Sequence, residues 1–382
     1  MDQTGKRLRL LYTCFSASWG GLEIQALDEA VLMQEKGHTV ALACLPHTSL
    51  FREGSGKSLH ILPLNVSGYL HPHAILTLRQ FIQETKIDLV HSQLSKDIAT
   101  VVPALKLCSR YVPLVLSRRM GSGISKKDLL HRFTYARVSR VLAISSVIRE
   151  NVAQTTPISS EKIVTVHHGI DLERFSPDRE NRSALRRNLG ITEDTIVIGF
   201  VGRFSRGKGH EEFLNAAAIL APQHPNLQWV VVGKASRGEE SYESEIREMA
   251  RSLELGDRIL FTGFRTDIPE IMSVFDVFAF PSHAEAFGAV LVEAMASGLP
   301  VVASKSDGVL DIVIEGKTGI LVPPKNATAL ANGLKHLAAH PETRREMGQA
   351  GRARAEKFFS RDTLATKLQQ VYDDAIREGS LP

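Results

Sequence analysis

Two carboxylates, Glu285 and Glu293, stand eight positions apart with Phe287-Gly288-Ala289 between them. The apolar residues 277–280 before them predict a short buried strand. Residues 289–297 after them predict a helix, closed by Gly298 with Pro300 beyond. A strand, a tight turn and a helix N-terminus together make an anion site, because unpaired amides and the helix dipole point at one spot. A bare phosphate gains nothing from acids on both sides of such a site. A ligand that carries phosphates and many hydroxyls uses both features at once, and a nucleotide sugar is such a ligand.

A second stretch supplies cations. Gly202-Arg-Phe-Ser-Arg-Gly207-Lys208-Gly209 follows the apolar run 196–201 and precedes a helix that the sequence predicts from near Glu211. Arg203 can grip phosphate as a fork and Lys208 as a point charge, and the glycines let backbone approach closely. The stretch also fits a nucleotide-triphosphate loop, but Gly209 occupies the position where Mg²⁺ binding requires Ser or Thr. Gly54-Ser55-Gly56-Lys57-Ser58 is a poorer imitation, with Phe51 in place of the first Gly and no strand before it. Neither half opens with G-x-G-x-x-G after its first strand, which argues against a nicotinamide enzyme. No HExxH or Cys/His ligand cluster appears, so no metal and no resident cofactor are expected.

These residues need a scaffold of strands and helices. Residues 8–12, 39–44, 89–91, 112–116, 140–144 and 163–166 read as short apolar strands, separated by helical stretches such as 24–36 and 74–85. The pattern restarts at 196–201, 228–232, 259–262, 277–280, 301–303 and 319–322. Alternation of this kind predicts an α/β chain with parallel sheets covered on both faces. The expected domains are 1–175 and 176–360, with a terminal helix of about 361–382 packing back on the first. Residues 171–194 supply the link and one helix. Doubly wound domains bind ligands at the carboxyl ends of their strands.

The two motifs together resemble the retaining glycosyltransferases of family GT4, through its E-x7-E signature and its G-R-x-x-x-x-K-G element. That resemblance implies the GT-B fold: two Rossmann-like, doubly wound domains facing across a cleft. It implies that Glu285 contacts donor-sugar hydroxyls, that Glu293 holds the ribose, and that backbone of Phe287, Gly288 and Ala289 meets sugar and phosphates. Arg203 and Lys208 would neutralise the diphosphate, and Phe264 joins the donor-binding set. Gly20-Gly21-Leu22-Glu23 resembles the family's N-domain glycine loop beside donor phosphates and acceptor. The run 166–177, Val-His-His-Gly-Ile-Asp-Leu-Glu-Arg-Phe-Ser-Pro, resembles its interdomain N-G-V-D-x-x-x-F-x-P passage, with His168 replacing Asn and with Asp171 and Phe175 read as structural. Three places depart from the pattern. His91-Ser92-Gln93 has Gln for the second His of His-x-His. Arg118 and Arg119 stand where a His often follows the strand, and are expected to meet an anionic acceptor. Asp307-Gly308-Val309-Leu310-Asp311 replaces G-G-x-x-E with a shorter acid. The implied reaction moves a sugar from a nucleoside-diphosphate donor, without metal, to a glycan or lipid-linked acceptor in cell-surface polysaccharide or lipopolysaccharide synthesis. The alternatives are a UDP-sugar 2-epimerase of the same architecture and a noncatalytic sugar-nucleotide-binding protein.

Bulk properties agree with a two-domain globular chain. It has 382 residues, 43% of them hydrophobic and 23% charged. The start, Met-Asp-Gln-Thr-Gly-Lys-Arg, has no apolar h-region, and no run is apolar enough for a membrane span, so a cytoplasmic setting is expected. Three cysteines without a CxxC pair suggest reduced thiols. Net charge is only +4, yet residues 118–149 hold eight basic side chains against Asp128 alone. A local +7 predicts contact with an anionic membrane at the inner face of the plasma membrane, or with an anionic glycan. Nucleic acid is not expected, because aromatics hardly interleave with these charges.

Overall fold

The computed structural model describes residues 7–66, 71–177 and 181–379 of the chain. They form two compact units, 1–168 with 361–382 and 169–360. The first contains β1 (Arg9–Cys14), α1 (Gly21–Glu35), β2 (Thr39–Cys44), α2 (Ser49–Gly56), β3 (His60–Pro63), α3 (Pro72–Glu84), β4 (Leu89–Ser92), α4 (Ile98–Lys106), β5 (Leu114–Arg118), α5 (Leu129–Tyr135), β6 (Arg140–Ala143), α6 (Ser146–Thr155) and β7 (Ile163–Thr165). The second contains α7 (Arg182–Asn188), β8 (Ile196–Val201), α8 (His210–Leu220), β9 (Leu227–Val232), α9 (Glu240–Ser252), β10 (Ile259–Gly263), α10 (Ile268–Val274), β11 (Val277–Phe280), α11 (Ala289–Ala296), β12 (Val301–Ser304), α12 (Val309–Ile312), β13 (Gly319–Val322), α13 (Ala327–Ala339) and α14 (Pro341–Phe358). Then α15 (Arg361–Gly379) returns to the first unit.

Both sheets are parallel and doubly wound, in the orders β3-β2-β1-β4-β5-β6-β7 and β10-β9-β8-β11-β12-β13. Their strands are nearly continuous apolar runs because helices cover both faces. Leu10, Leu42, Leu89 and Val115 of the first sheet are wholly buried, as are Ile198, Trp229, Val277 and Val302 of the second. In each order the strand sequence reverses once, between β1 and β4 and again between β8 and β11. At such a reversal the loops leaving the two strands diverge to opposite faces and open a crevice.

The structure shifts several expected boundaries. The strand read as 112–116 runs from Leu114 to Arg118. Pro113 cannot donate to the ladder, and the buried polar end of the strand, Ser117-Arg118, gives no apolar signal. Strand β3 carries no readable pattern: it is a four-residue edge strand beginning with an exposed His and ending with Pro. The Gly54–Ser58 imitation lies mostly in α2, where Gly54 is buried and a Cβ would lie 3.0 Å from Ile61. The unit boundary falls at 168 rather than 175. Ile170 N–H donates to the Phe359 carbonyl at 2.7 Å, and Arg352 holds the carbonyls of Leu172 and Phe175, so 169–175 belongs to the second unit. The expected end of the last helix, 380–382, and Asp178 of the link lie outside the described residues, as does the start of the chain at 1–6.

Candidate functional site

The crevice between β8 and β11 brings together Lys208, Glu285 and the turn at Phe287-Gly288-Ala289. The loop 202–209 leaves β8 and ends at Gly209, the N-cap of α8, one residue earlier than predicted. The loop 281–288 leaves β11 and ends at Gly288, the N-cap of α11. The two loops are bonded together, His283 N–H donating to the Gly207 carbonyl at 2.8 Å. Gly209 makes this approach feasible. Its φ is +86°, and a Cβ would lie 2.2 Å from the Pro281 carbonyl oxygen. His283 Nε2 also sits 2.9 Å from Glu212 Oε1, which ties the second loop to the first turn of α8.

Lys208 Nζ donates to Glu285 Oε2 at 2.6 Å, with both side chains largely shielded from solvent. The expected diphosphate cation and the expected sugar ligand therefore form one ion pair. A third segment supports the turn from beneath. Gly308 N–H donates to the Glu285 carbonyl at 2.9 Å, and Asp307 Oδ2 accepts from Glu285 N–H at 3.3 Å. A Cβ on Gly308 would lie 2.4 Å from the Ala286 carbonyl oxygen, so only glycine fits. Asp307 itself has φ +42°, a conformation that Asp tolerates better than most residues. Sequence reasoning singles out this Asp-Gly pair but misses its role as the bed of the Glu285 turn. The backbone carbonyl of Asp311 accepts from Arg354 at 2.7 Å.

Glu293 lies on α11, five residues past its cap, and is mostly buried. Burial pushes its carboxyl up to about 7, opposed by the charge of Arg174. Arg174 comes from the run 171–175, where Asp171 Oδ1 accepts from the amides of Glu173 and Arg174 and so orders the turn. Phe287 is buried and packs edge-on against Phe359, ring centroids 5.9 Å apart.

Arg203 and Phe264 meet elsewhere on the same sheet edge. They line a cavity of about 610 Å³ at the carboxyl ends of β8, β9 and β10, with Lys234, Ser236, Arg237 and Arg265. Arg203 Nε lies 3.4 Å from Glu239 Oε2, and Lys234 lies 5.5 Å from the exposed Phe264 ring. Such a cavity, basic on one side and with a flat aromatic wall, suits a planar base joined to phosphate. Its basic lining at 234 and 237 had no spacing signal in the sequence.

In the first unit, Gly20 caps α1, and its N–H donates to Glu23 Oε2 at 3.0 Å. A Cβ placed on Gly21 would meet no atom within 4 Å, so the turn is open there. His91 is fully buried, bonded to Tyr372 Oη at 2.8 Å and Ser117 Oγ at 2.9 Å, and burial holds its pKa well below the ordinary value. It is a structural residue. Gln93 accepts from Arg119, and Arg119 also pairs with Glu29 at 2.6 Å, both side chains hidden. Arg118 is buried and donates to Tyr135 Oη at 3.1 Å. The expectation that Arg118 and Arg119 meet an anionic acceptor is thereby corrected, because both guanidinium groups are spent inside the fold. His168, in place of the family's Asn, has its pKa lowered to about 3 by burial and is neutral. Among the described residues no group of three or more His, Cys, Asp or Glu side chains could hold a metal ion.

Comparison with known proteins places both halves. Residues 19–174 match the family model described as Glycosyltransferase Family 4, and residues 181–354 the one described as Glycosyl transferases group 1. The lipopolysaccharide core biosynthesis mannosyltransferase LpsB of Rhizobium meliloti is 30% identical over 278 residues, 72% of this chain and 74% of its own length. A D-inositol 3-phosphate glycosyltransferase of Corynebacterium kroppenstedtii is 33% identical over 246 residues, 63% of this chain. The match spans only 54% of that relative's length. The structure of Anabaena HepE in complex with UDP superposes with a TM-score of 0.86 at 24% identity, over 96% of this chain and 100% of that one, a likeness of fold.

Proposed function

The chain belongs to the family 4 glycosyltransferases of GT-B fold, and from that membership we propose that it transfers a sugar, with retention of anomeric configuration, from a nucleoside-diphosphate donor to a hydroxyl of a glycan or lipid-linked acceptor. The observation that carries this reading is the union of the loops 202–209 and 281–288 at one strand reversal, with Lys208 and Glu285 paired between them. That HepE is described in complex with UDP, and LpsB as a lipopolysaccharide core mannosyltransferase, supports a nucleotide-linked donor and a surface-glycan acceptor.

The donor's bond from the anomeric carbon to the diphosphate oxygen breaks, and its electron pair leaves with the diphosphate. Negative charge grows on phosphate and positive charge on the sugar ring. Arg203, Lys208 and the α11 N-terminus at Gly288-Ala289 meet the first, which is preorganised electrostatic stabilisation. Glu285 accepts hydroxyls of the sugar beside the cation that meets the phosphate, and its negative charge favours the developing ring cation. Glu293, on the same helix, takes the ribose hydroxyls. The base lies in the cavity walled by Phe264. The acceptor oxygen bonds to the anomeric carbon on the face that the diphosphate leaves, and its proton passes to a leaving phosphate oxygen. No step needs a metal ion, so turnover is expected to survive EDTA.

The test is a thermal-shift panel of UDP-, GDP- and ADP-sugars, followed by product analysis with the donor that raises the melting temperature. Expected products are free nucleoside diphosphate and a glycoside whose anomeric proton coupling matches the donor's. An epimerised nucleotide sugar without glycoside would replace this reading with epimerisation. Binding of every donor without turnover on any acceptor would replace it with noncatalytic binding.

A further inference from the structure

The segment between β5 and the end of α5 carries an unusual surface. Met120, Ile124, Leu129, Leu130 and Phe133 are 63, 74, 85, 58 and 47% exposed. Single exposed apolar side chains are ordinary, but a run of them within one short segment marks an interaction surface. The segment is held in place. Lys126 N–H donates to the Thr155 carbonyl at 2.7 Å, Ser122 N–H to Asn151 Oδ1 at 2.8 Å, and Arg132 Nε to the Lys127 carbonyl at 2.9 Å. Asp128 caps α5 through the amides of Leu130 and His131, which presents Leu129, Leu130 and Phe133 outward on its first turn and a half.

The charges of this segment differ from those expected from sequence. Of the eight basic residues between positions 118 and 149, Arg118 and Arg119 are buried, Arg137 donates to the Val112 carbonyl, and Arg140 pairs with Glu378. Two of the eight charges, Arg119 and Arg140, are thus neutralised by acids from elsewhere in the fold, and the surface charge is smaller than the sequence count. Lys127 and Arg132 remain among the apolar side chains, and Lys106 of α4 lies 3.6 Å from the Phe133 ring centroid. The only acid in the segment, Asp128, is engaged by α5 and by His131.

We propose that residues 120–133 dock the protein on an anionic bilayer, with Ile124, Leu129, Leu130 and Phe133 entering the headgroup–acyl boundary and Lys106, Lys127 and Arg132 meeting lipid phosphates. Apolar side chains interleaved with cations are the composition of an interfacial segment. A protein partner fits less well, since the buried centre of a protein interface is depleted of charge, whereas here Lys106, Lys127 and Arg132 stand among the apolar side chains. The segment follows the carboxyl end of β5, the sheet edge that also bears the Gly20–Glu23 turn after β1. A lipid-linked acceptor would thus emerge on the edge of the sheet where the glycine turn lies. Docking itself needs neither donor nor acceptor, so its test is independent of glycosyl transfer.

Flotation of the full chain with phosphatidylcholine vesicles, with and without phosphatidylglycerol, at low and high salt, reads the proposal. The parent is expected to float with the anionic vesicles and to keep part of its binding at high salt, because apolar insertion is not screened. The double variant Ile124→Ser, Leu129→Ser is expected to lose at least about tenfold in vesicle partition. Its melting temperature and nucleotide binding should match the parent's, since both side chains are exposed. Lys127→Gln with Arg132→Gln should lower binding severalfold and flatten its salt dependence. The proposal is overturned if the parent stays with neither vesicle, or if the serine variant floats like the parent. It is equally overturned if the parent forms dimers that the serine variant abolishes while vesicles bind neither, which would make the surface a contact between copies.

Discussion

At the residue scale the two glutamates separate donor recognition into parts. Glu285 touches Lys208 and is proposed to touch the sugar, while Glu293 is proposed to touch the ribose. A charge-assisted hydrogen bond is worth about 1.5–3 kcal/mol, or roughly ten- to a hundredfold in binding. Glu285→Gln should therefore leave affinity for the free nucleoside diphosphate intact and lower turnover of the sugar donor. Glu293→Gln should weaken both. Titration calorimetry with nucleotide alone, then turnover assays, distinguishes the two; parent-like behaviour of both variants would remove the basis of the site. Glu293 also makes a pH prediction. Its carboxyl titrates near 7 in the folded chain against an ordinary 4.5. Between these values the folded state holds a proton that the unfolded chain has released. Stability thus falls as pH rises through that window, by up to about 3 kcal/mol. Glu293→Gln should melt with the parent near pH 4.5 and above it at pH 8. Ribose hydroxyls favour the ionised form, so nucleotide binding near pH 7 should release a proton, measurable as a buffer-dependent binding enthalpy.

At the element scale, three turns rest on glycine for different reasons. Gly209 and Gly308 allow loops to touch, whereas Gly21, at the start of α1, leaves open space. Gly308→Ala forces the 285–288 turn to shift. It should cost roughly 1–3 kcal/mol in stability, with donor turnover falling more than the stability loss explains. Gly21→Ala should leave the melting temperature close to the parent's or slightly above it, because alanine favours helix and meets no neighbour. If the α1 turn faces donor phosphates or acceptor, as its resemblance to the family's glycine loop implies, kcat/KM nevertheless falls. Unchanged kinetics for Gly21→Ala would confine that turn to a structural role.

At the scale of the whole molecule, the two units close their cores differently. The second is one continuous segment whose sheet and core are complete within it. Residues 169–360 expressed alone should fold cooperatively and bind the nucleoside diphosphate, read by calorimetry. The first borrows α15, which brings Leu364, Leu368, Val371 and Tyr372 into its core. Tyr372 Oη meets Tyr12 Oη at 2.7 Å as well as His91. Ending the chain at Ser360 should leave buried apolar surface uncovered and the His91 Nδ1 without its partner. The expected result is a first unit digested by protease and a second that resists it.

Sequence by itself determined the alternation of strand and helix, the restart near Ile196, and the motifs at 202–209 and 281–293. These are local: they rest on apolar runs, glycine placement and spacing, which the chain carries wherever it folds. Only tertiary structure decided what the charged side chains do. Lys208 and Glu285 are 77 positions apart, and nothing in their spacing says that they pair. Arg119 and Glu29 are 90 apart, and their burial turned an expected surface cation into a core group. Pairing of that kind depends on which strand lies beside which, and strand order is set by long-range contacts. Burial is likewise a property of neighbours. The same carboxylate that reads as a helix acid in sequence becomes, under the surface of the second unit, a group that titrates near neutral pH.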